Sequence, residues 1–331
     1  MSDIISCTEF VPLYSEFFRF LEEHDGYEAV LRYWRFISGR NVGNRANPYS
    51  LISFLERYKA NPLEGAWRYW CRTLSEEASD TIRVYVPKEG YIIGHMRHCP
   101  SRGRLNALEH IEPYHDYCEH CGVVYAPALE EYDLVMERDH SCVANAECKS
   151  LMYVKGCRPA IDLAAMTDDD IRELAKKDGA EINDMQAGDN KYLHRGFHNS
   201  SDAALRFCGE NYGDEMVQRF IADFTKRYYA PQINECKARG LVAIKEWLES
   251  VYAVEEASEV LHTKLTETEL TVDIDYCPAI AYMRSVNREP SPWYIEQTRT
   301  LYAAFAESAG LDFKLDYFEE NGKTRFHFIK K

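Results

Sequence analysis

Apolar residues in the stretch YSEFFRFLEEHDGYEAVLRYWRFI, Tyr14 to Ile37, recur at spacings of three and four. That is the period of a helix with one buried face, and Asp25-Gly26 interrupts it, so the pattern predicts two amphipathic helices. A further helix is predicted over about Leu63–Ala78, with a counterpart over about Gly240–Leu261. The period then changes. RVYVPKEGYIIGHM, Arg83 to Met96, and LTVDIDY, Leu270 to Tyr276, are rich in β-formers, and each predicts a strand that ends at a Cys-Pro pair. Helices are predicted next at about Tyr117–Glu131 and Tyr294–Ser308. In FKLDYFEENGKTRFHFI, Phe313 to Ile329, Asn321-Gly322 lies between alternating segments and predicts a closing hairpin.

The same series of elements is thus read twice, and individual residues repeat with it. Arg19, Phe20, Gly26, Glu28, Val30 and Arg32 match Arg206, Phe207, Gly213, Glu215, Val217 and Arg219. Glu-Glu-Ala-Ser occurs at Glu76–Ser79 and at Glu255–Ser258, and Tyr117, Tyr125 and Leu134 align with Tyr294, Tyr302 and Leu311. The offset drifts from 187 to 177, as a few loop insertions would cause. We read a tandem duplication: residues 1–157, a connector over 158–190, and residues 191–331. The fold class expected is α+β, each copy having N-terminal helices and a small antiparallel sheet packed by helices. In the connector, Thr167 followed by three aspartates reads as a helix start, a cap with acids at the positive end of the dipole.

The composition is that of a globular chain: 331 residues, 46% hydrophobic and 28% charged. A formal charge of −15 opposes binding to phosphate backbones, and RHCPSRGR, Arg97 to Arg104, is too short a basic run to reverse that. No nucleic-acid partner is therefore expected; a cationic or neutral small ligand suits the field better. There is no apolar run long enough for a membrane span, and MSDIISCTEF has neither the basic nor the apolar region of a signal peptide. A cytoplasmic location follows as an expectation. Eleven cysteines in such a compartment favour metal, redox or buried roles over a disulfide framework.

Four of those cysteines fall between Asp116 and Cys148. Cys118 and Cys121 open a predicted helix, where free amides and the dipole stabilise thiolates. Cys142 sits at the tip of the following hairpin and Cys148 at the start of its second strand. Four such groups enclosing a tetrahedral ion, most naturally zinc, is one reading; a redox or nucleophilic thiolate and unreactive buried thiols are the others. His115, His120 or His140 is a substitute ligand. The aligned positions of the second copy, Ile295, Thr298, Glu319 and Arg325, hold no sulfur. Cys99 and Cys277 read either as buried thiols closing a strand or as a nucleophile or ligand facing a pocket. The second copy has candidates of its own. His194 and His198 are four apart, and Glu259 and His262 three apart, the spacings of helical metal or acid–base pairs. With Glu255 of the repeated tetrapeptide, His194, His198 and His262 form the catalytic set to test.

These residues carry a resemblance. A helical first part, a strand ending in Cys-Pro, then YCEHCGVVYAPALEEYDL and a late cysteine in the last hairpin resemble the L-2-amino-thiazoline-4-carboxylic acid hydrolase-like family, whose domains are similar to 4-vinyl-reductase small-ligand domains. The resemblance covers most of the first copy and, more faintly, the second half of the second. It implies a small-molecule hydrolase acting on a C–N bond of a heterocycle or amide, metal- or thiolate-assisted. A domain of that shape reused as a non-catalytic cytoplasmic ligand- or metal-binding sensor is the alternative. Neither a phosphate-binding glycine loop nor a nucleophile elbow is present in the sequence.

Overall fold

A computed structural model describes residues 10–76, 79–186 and 197–331. The fold is α+β, with two antiparallel sheets. Its described residues divide into two bodies: residues 21–108 with 113–186, and residues 10–20 and 109–112 with 197–331.

The first half runs α1 (Phe10–Asp25), α2 (Tyr27–Arg40), α3 (Leu51–Arg57), α4 (Pro62–Glu76), β1 (Asp80–Val86), β2 (Tyr91–His98), α5 (Pro100–Asn106), α6 (His120–Glu130), β3 (Leu134–Asp139) and β4 (Cys148–Val154). The connector adds α7 (Asp168–Leu174) and β5 (Glu181–Met185). The second half runs α8 (Phe197–Tyr212), α9 (Asp214–Tyr228), α10 (Ala230–Arg239), α11 (Leu241–Val254), β6 (Leu261–Leu265), β7 (Glu269–Ile274), α12 (Pro278–Ser285), α13 (Glu296–Ala309), β8 (Leu311–Phe318) and β9 (Thr324–Lys330). Connector aside, the order of helices and strands is the same. So is the strand order, β3-β4-β2-β1 in one sheet and β8-β9-β7-β6 in the other, with β5 added beside β1.

The local physics repeats as well. Gly26 (φ 76°) and Gly213 (φ 85°) each cap a helix in a backbone conformation that favours glycine. The helix that follows buries Val30, Tyr33, Trp34 and Ile37 in one case and Val217, Phe220, Ile221 and Phe224 in the other, the same stripe at the same spacing. Cys99 and Cys277 stand at the N-caps of α5 and α12, each with proline at the first helical position, where no N–H is needed. Each cysteine amide donates to the far hairpin, Cys99 N to Ala146 O at 2.7 Å and Cys277 N to Asn321 O at 3.1 Å. Tyr125 packs on Trp70 with ring centroids 5.3 Å apart, and Tyr302 on Trp247 at 6.2 Å.

Three elements differ from the sequence reading. Arg83 to Met96 is two strands: Pro87 ends β1 and Gly90 (φ 72°) reverses the chain into β2. The predicted helix ending at Leu261 stops at Val254, and Leu261 opens β6, a short polar edge strand with little apolar alternation to announce it. The connector supplies strand β5 besides its helix, whose capping box joins Thr167 and Asp170.

Sheet one buries both faces. Ile82, Val84, Tyr91, Ile93 and Leu151 meet the connector through Leu163 and Ile171. Arg97 fastens that layer, binding Asp80 at 2.6 Å, Asp168 at 3.1 Å and Asp184 at 2.8 Å. Its other face, toward α4 and α6, holds the chemistry.

Candidate functional site

Strand register places four residues in one row across that inner face. Arg83 on β1 pairs Gly94 on β2, Gly94 pairs Ser150 on β4, and Ser150 pairs Arg138 on β3. The row lines a cavity of ≈ 40 Å³ that includes Arg83, Arg138, Cys148 and Ser150 in its wall. By volume it holds roughly two or three waters. The rest of the wall is apolar: Trp67, Trp70, Ile92 and the methionines Met96, Met136 and Met152.

Arg83 lies across the sheet over Gly94. A Cβ on Gly94 would meet Arg83 Cγ at 2.8 Å, so this strand position has room for the arginine only as glycine. Arg83 Cζ is 5.9 Å from the Trp70 ring. The Nε atoms of Arg83 and Arg138 are buried without a hydrogen-bond partner. Among the described residues neither arginine has an ion pair, in contrast to Arg97 with three carboxylates. Burial, with Arg138 as a like charge nearby, pushes the Arg83 guanidinium down to about 10. Burial also opposes charge on Arg138, but the fields of Cys121 and Cys148 outweigh it and its pKa is raised.

The thiols lie at one corner of this face. Cys99, Cys118, Cys121 and Cys148 stand within electrostatic range of one another. Cys142, expected with them, is instead exposed at the hairpin turn, and the cap cysteine Cys99 occupies the corner in its stead. Burial pushes Cys118 up to about 12 and raises Cys99 and Cys148 as well. Cys121 goes the other way. Burial alone would raise it, yet His120, Arg138 and His140 bring it down to about 6. His120 Nε2 is 3.7 Å from Cys121 Sγ, and Nδ1 donates to the Tyr117 carbonyl in the turn before α6. That bond fixes Nδ1 as a donor and leaves Nε2 facing the sulfur, where it takes the thiol proton. His140 is held by Glu119 at 2.9 Å, and His115 faces Glu22 and Asp116 in an exposed position. Among the described residues, no group of three or more His, Cys, Asp or Glu side chains is arranged to hold a metal ion.

The second-half candidates separate. His194 lies outside the described residues. His198 and Glu255 do meet, Nε2 to Oε2 at 3.3 Å, with Glu255 8% exposed. His262 is exposed on β6 and pairs with Asp275 at 2.9 Å. Glu259 precedes it in a single 3-10 turn, so the helical spacing assumed for that pair does not apply. Cys277 and Tyr294 share a buried hydrogen bond, and burial raises both.

The inner row has a counterpart in sheet two. Gly94 and Val272 each stand five residues before a Cys-Pro. Val272 pairs Thr263 and Phe326, and Phe326 pairs Leu315. Where sheet one sets arginine, glycine, serine and arginine, sheet two sets threonine, valine, phenylalanine and leucine. Comparison of the chain with known protein families, with curated proteins and with solved structures finds no match in any of the three.

Proposed function

We propose that the first half is a thiolate-dependent hydrolase site for a C–N bond in a small amide or cyclic amidine, and that the second half is a filled copy of the same unit. The observation that carries this is Cys121 with a depressed pKa beside a tautomer-fixed His120, within electrostatic range of Arg138 and Cys148, which line the cavity. In the reaction, the Cys121 thiolate adds to the substrate carbon. The C–N bond breaks and the departing nitrogen takes the proton of the His120 imidazolium. Water then attacks the carbon held by sulfur, His120 accepts its proton, and the product, an acid from an amide or an amide from an amidine, leaves with Cys121 restored as thiolate. Net, one water is consumed and one C–N bond is cleaved, freeing an amino group that stays in the product where the substrate is cyclic.

The test is turnover of a panel of small amides and cyclic amidines by the full chain, following released amine, with mass spectrometry for a thioacyl adduct on Cys121. Hydrolysis lost in Cys121→Ser, with melting temperature unchanged, is the expected result. Turnover that survives Cys121→Ser ends the proposal.

A zinc ion at the thiol corner is the second reading, favoured by Cys99 joining Cys118, Cys121 and Cys148. It predicts about one equivalent of zinc in protein purified without added metal, lost on Cys118→Ser. Metal-free protein with full thiol titration would dismiss it.

A further inference from the structure

Two arginines facing one small, mostly apolar cavity without a carboxylate between them lack their counter-charge. Both side chains are half-buried, with their Nε atoms cut off from solvent and from any acceptor, and elsewhere in this same sheet the chain pairs such a cation: Arg97 is surrounded by Asp80, Asp168 and Asp184. The Cys121–His120 pair does not supply the missing charge, because thiolate and imidazolium neutralise each other. The fold does not demand the arginines either, since the corresponding row of sheet two is Thr263, Val272, Phe326 and Leu315. Glycine at position 94 is what lets Arg83 lie over the sheet.

We infer that Arg83 and Arg138 form an oxyanion-binding subsite that takes a carboxylate of the substrate, with Ser150 beneath it and Trp70 beside it. The guanidinium fork matches a planar carboxylate through paired N–H donors. A single charge is favoured over a phosphate or sulfate dianion because desolvation grows with the square of the charge, and most of this wall is methionine, isoleucine and tryptophan. The subsite sits beside Cys148 and within range of Cys121, so an anchored carboxylate presents the rest of a small molecule to the thiol corner. This substrate class rests on the hydrolase reading for its purpose, but the binding itself does not require the thiol.

The experiment separates the two. Acetate and sulfate are titrated into full-length Cys121→Ser protein at constant ionic strength, with tryptophan fluorescence as the readout. Saturable acetate binding, tighter than sulfate and weakened at least tenfold by Arg83→Met or by Arg138→Met, is expected. Gly94→Ala, which displaces Arg83 and leaves both charges in the chain, is expected to weaken it as well. Each variant is checked for an unchanged circular dichroism spectrum, and Arg83→Lys is included as a smaller perturbation that keeps the charge. Acetate binding unaffected by Arg83→Met and Arg138→Met overturns the subsite. Sulfate bound more tightly than acetate overturns the carboxylate assignment, and no saturable binding of either overturns both. If acetate binds as expected but no amide or amidine is hydrolysed by wild-type protein, the hydrolase reading fails and the subsite stands.

Discussion

The alkylation rate of Cys121 by a neutral reagent is expected to reach half of its plateau around pH 6, well below the midpoint of any other cysteine in the corner. The cause is electrostatic: His120, Arg138 and His140 overcome the burial that would otherwise keep this thiol protonated. Cys118, three residues earlier and pushed up to about 12 by burial, serves as an internal control that stays unreactive through neutral pH. Because Cys121 and His120 interact directly, the observed midpoint belongs to the pair. His120→Asn removes the main cation and returns the thiol toward its ordinary pKa of about 8.5. At pH 6 that cuts the thiolate fraction from about one half to about 0.3%, while the more basic sulfur gains roughly tenfold in intrinsic reactivity, so the net rate falls about tenfold. Peptide mass spectrometry with a pulse of iodoacetamide at stepped pH reads all of this in one experiment. A Cys121 midpoint above pH 8, or one unmoved by His120→Asn, removes the basis for nucleophilic chemistry here.

Much of the scaffold behind this corner was legible in the sequence because it is written in short-range patterns. The stripe Val30, Tyr33, Trp34, Ile37 and its partner Val217, Phe220, Ile221, Phe224 are helical spacings visible to anyone counting residues. Gly26, Gly213 and Asn321-Gly322 are backbone signals that act within a few residues. The Cys-Pro pairs marked the point where a strand gives way, though they cap the next helix rather than merely closing the strand.

The site was less legible, for a different reason. Arg83 and Arg138 belong to the outer pair of four strands, and only the register through Gly94 and Ser150 sets them on one row. The turn at Gly90 had to be recognised before β1 could be separated from β2, and with a single strand in its place no such row exists. Cys142 was grouped with Cys148 by nearness in sequence, whereas Cys99 reaches the corner through its amide bond to Ala146. Net charge, too, is blind to the cavity. A formal −15 is a sum over the whole chain, while the cavity wall carries two guanidinium groups. The His198–Glu255 contact is real, but it pairs α8 with the residue after α11, and the helical spacing of Glu259 and His262 played no part in it.

The two halves should therefore respond with opposite signs to substitution at matching places. Phe326 is fully buried on the inner row of sheet two, stacked on Tyr302 at 4.8 Å and 5.8 Å from Phe328. Phe326→Ala deletes a ring from a packed aromatic cluster and is expected to destabilise by about 3–5 kcal/mol, from lost transfer energy and the cavity left behind. At sheet one, Arg83→Met replaces a half-buried cation that has no carboxylate partner by an apolar chain of similar length among Met96, Met152 and Trp70. Removing a poorly solvated, unpaired charge in favour of apolar atoms is expected to be neutral or stabilising. Urea unfolding followed by intrinsic fluorescence, with a phase resolved for each body if they unfold separately, measures both. A purely structural arginine behaves differently: its loss lowers stability by an amount comparable to the loss of Phe326. Two equal and large destabilisations would thus identify Arg83 as scaffold. The opposite signs expected here mean that the chain carries an unfavourable pair of charges on the inner row of sheet one, and has packed the matching row of sheet two with phenylalanine, valine and leucine.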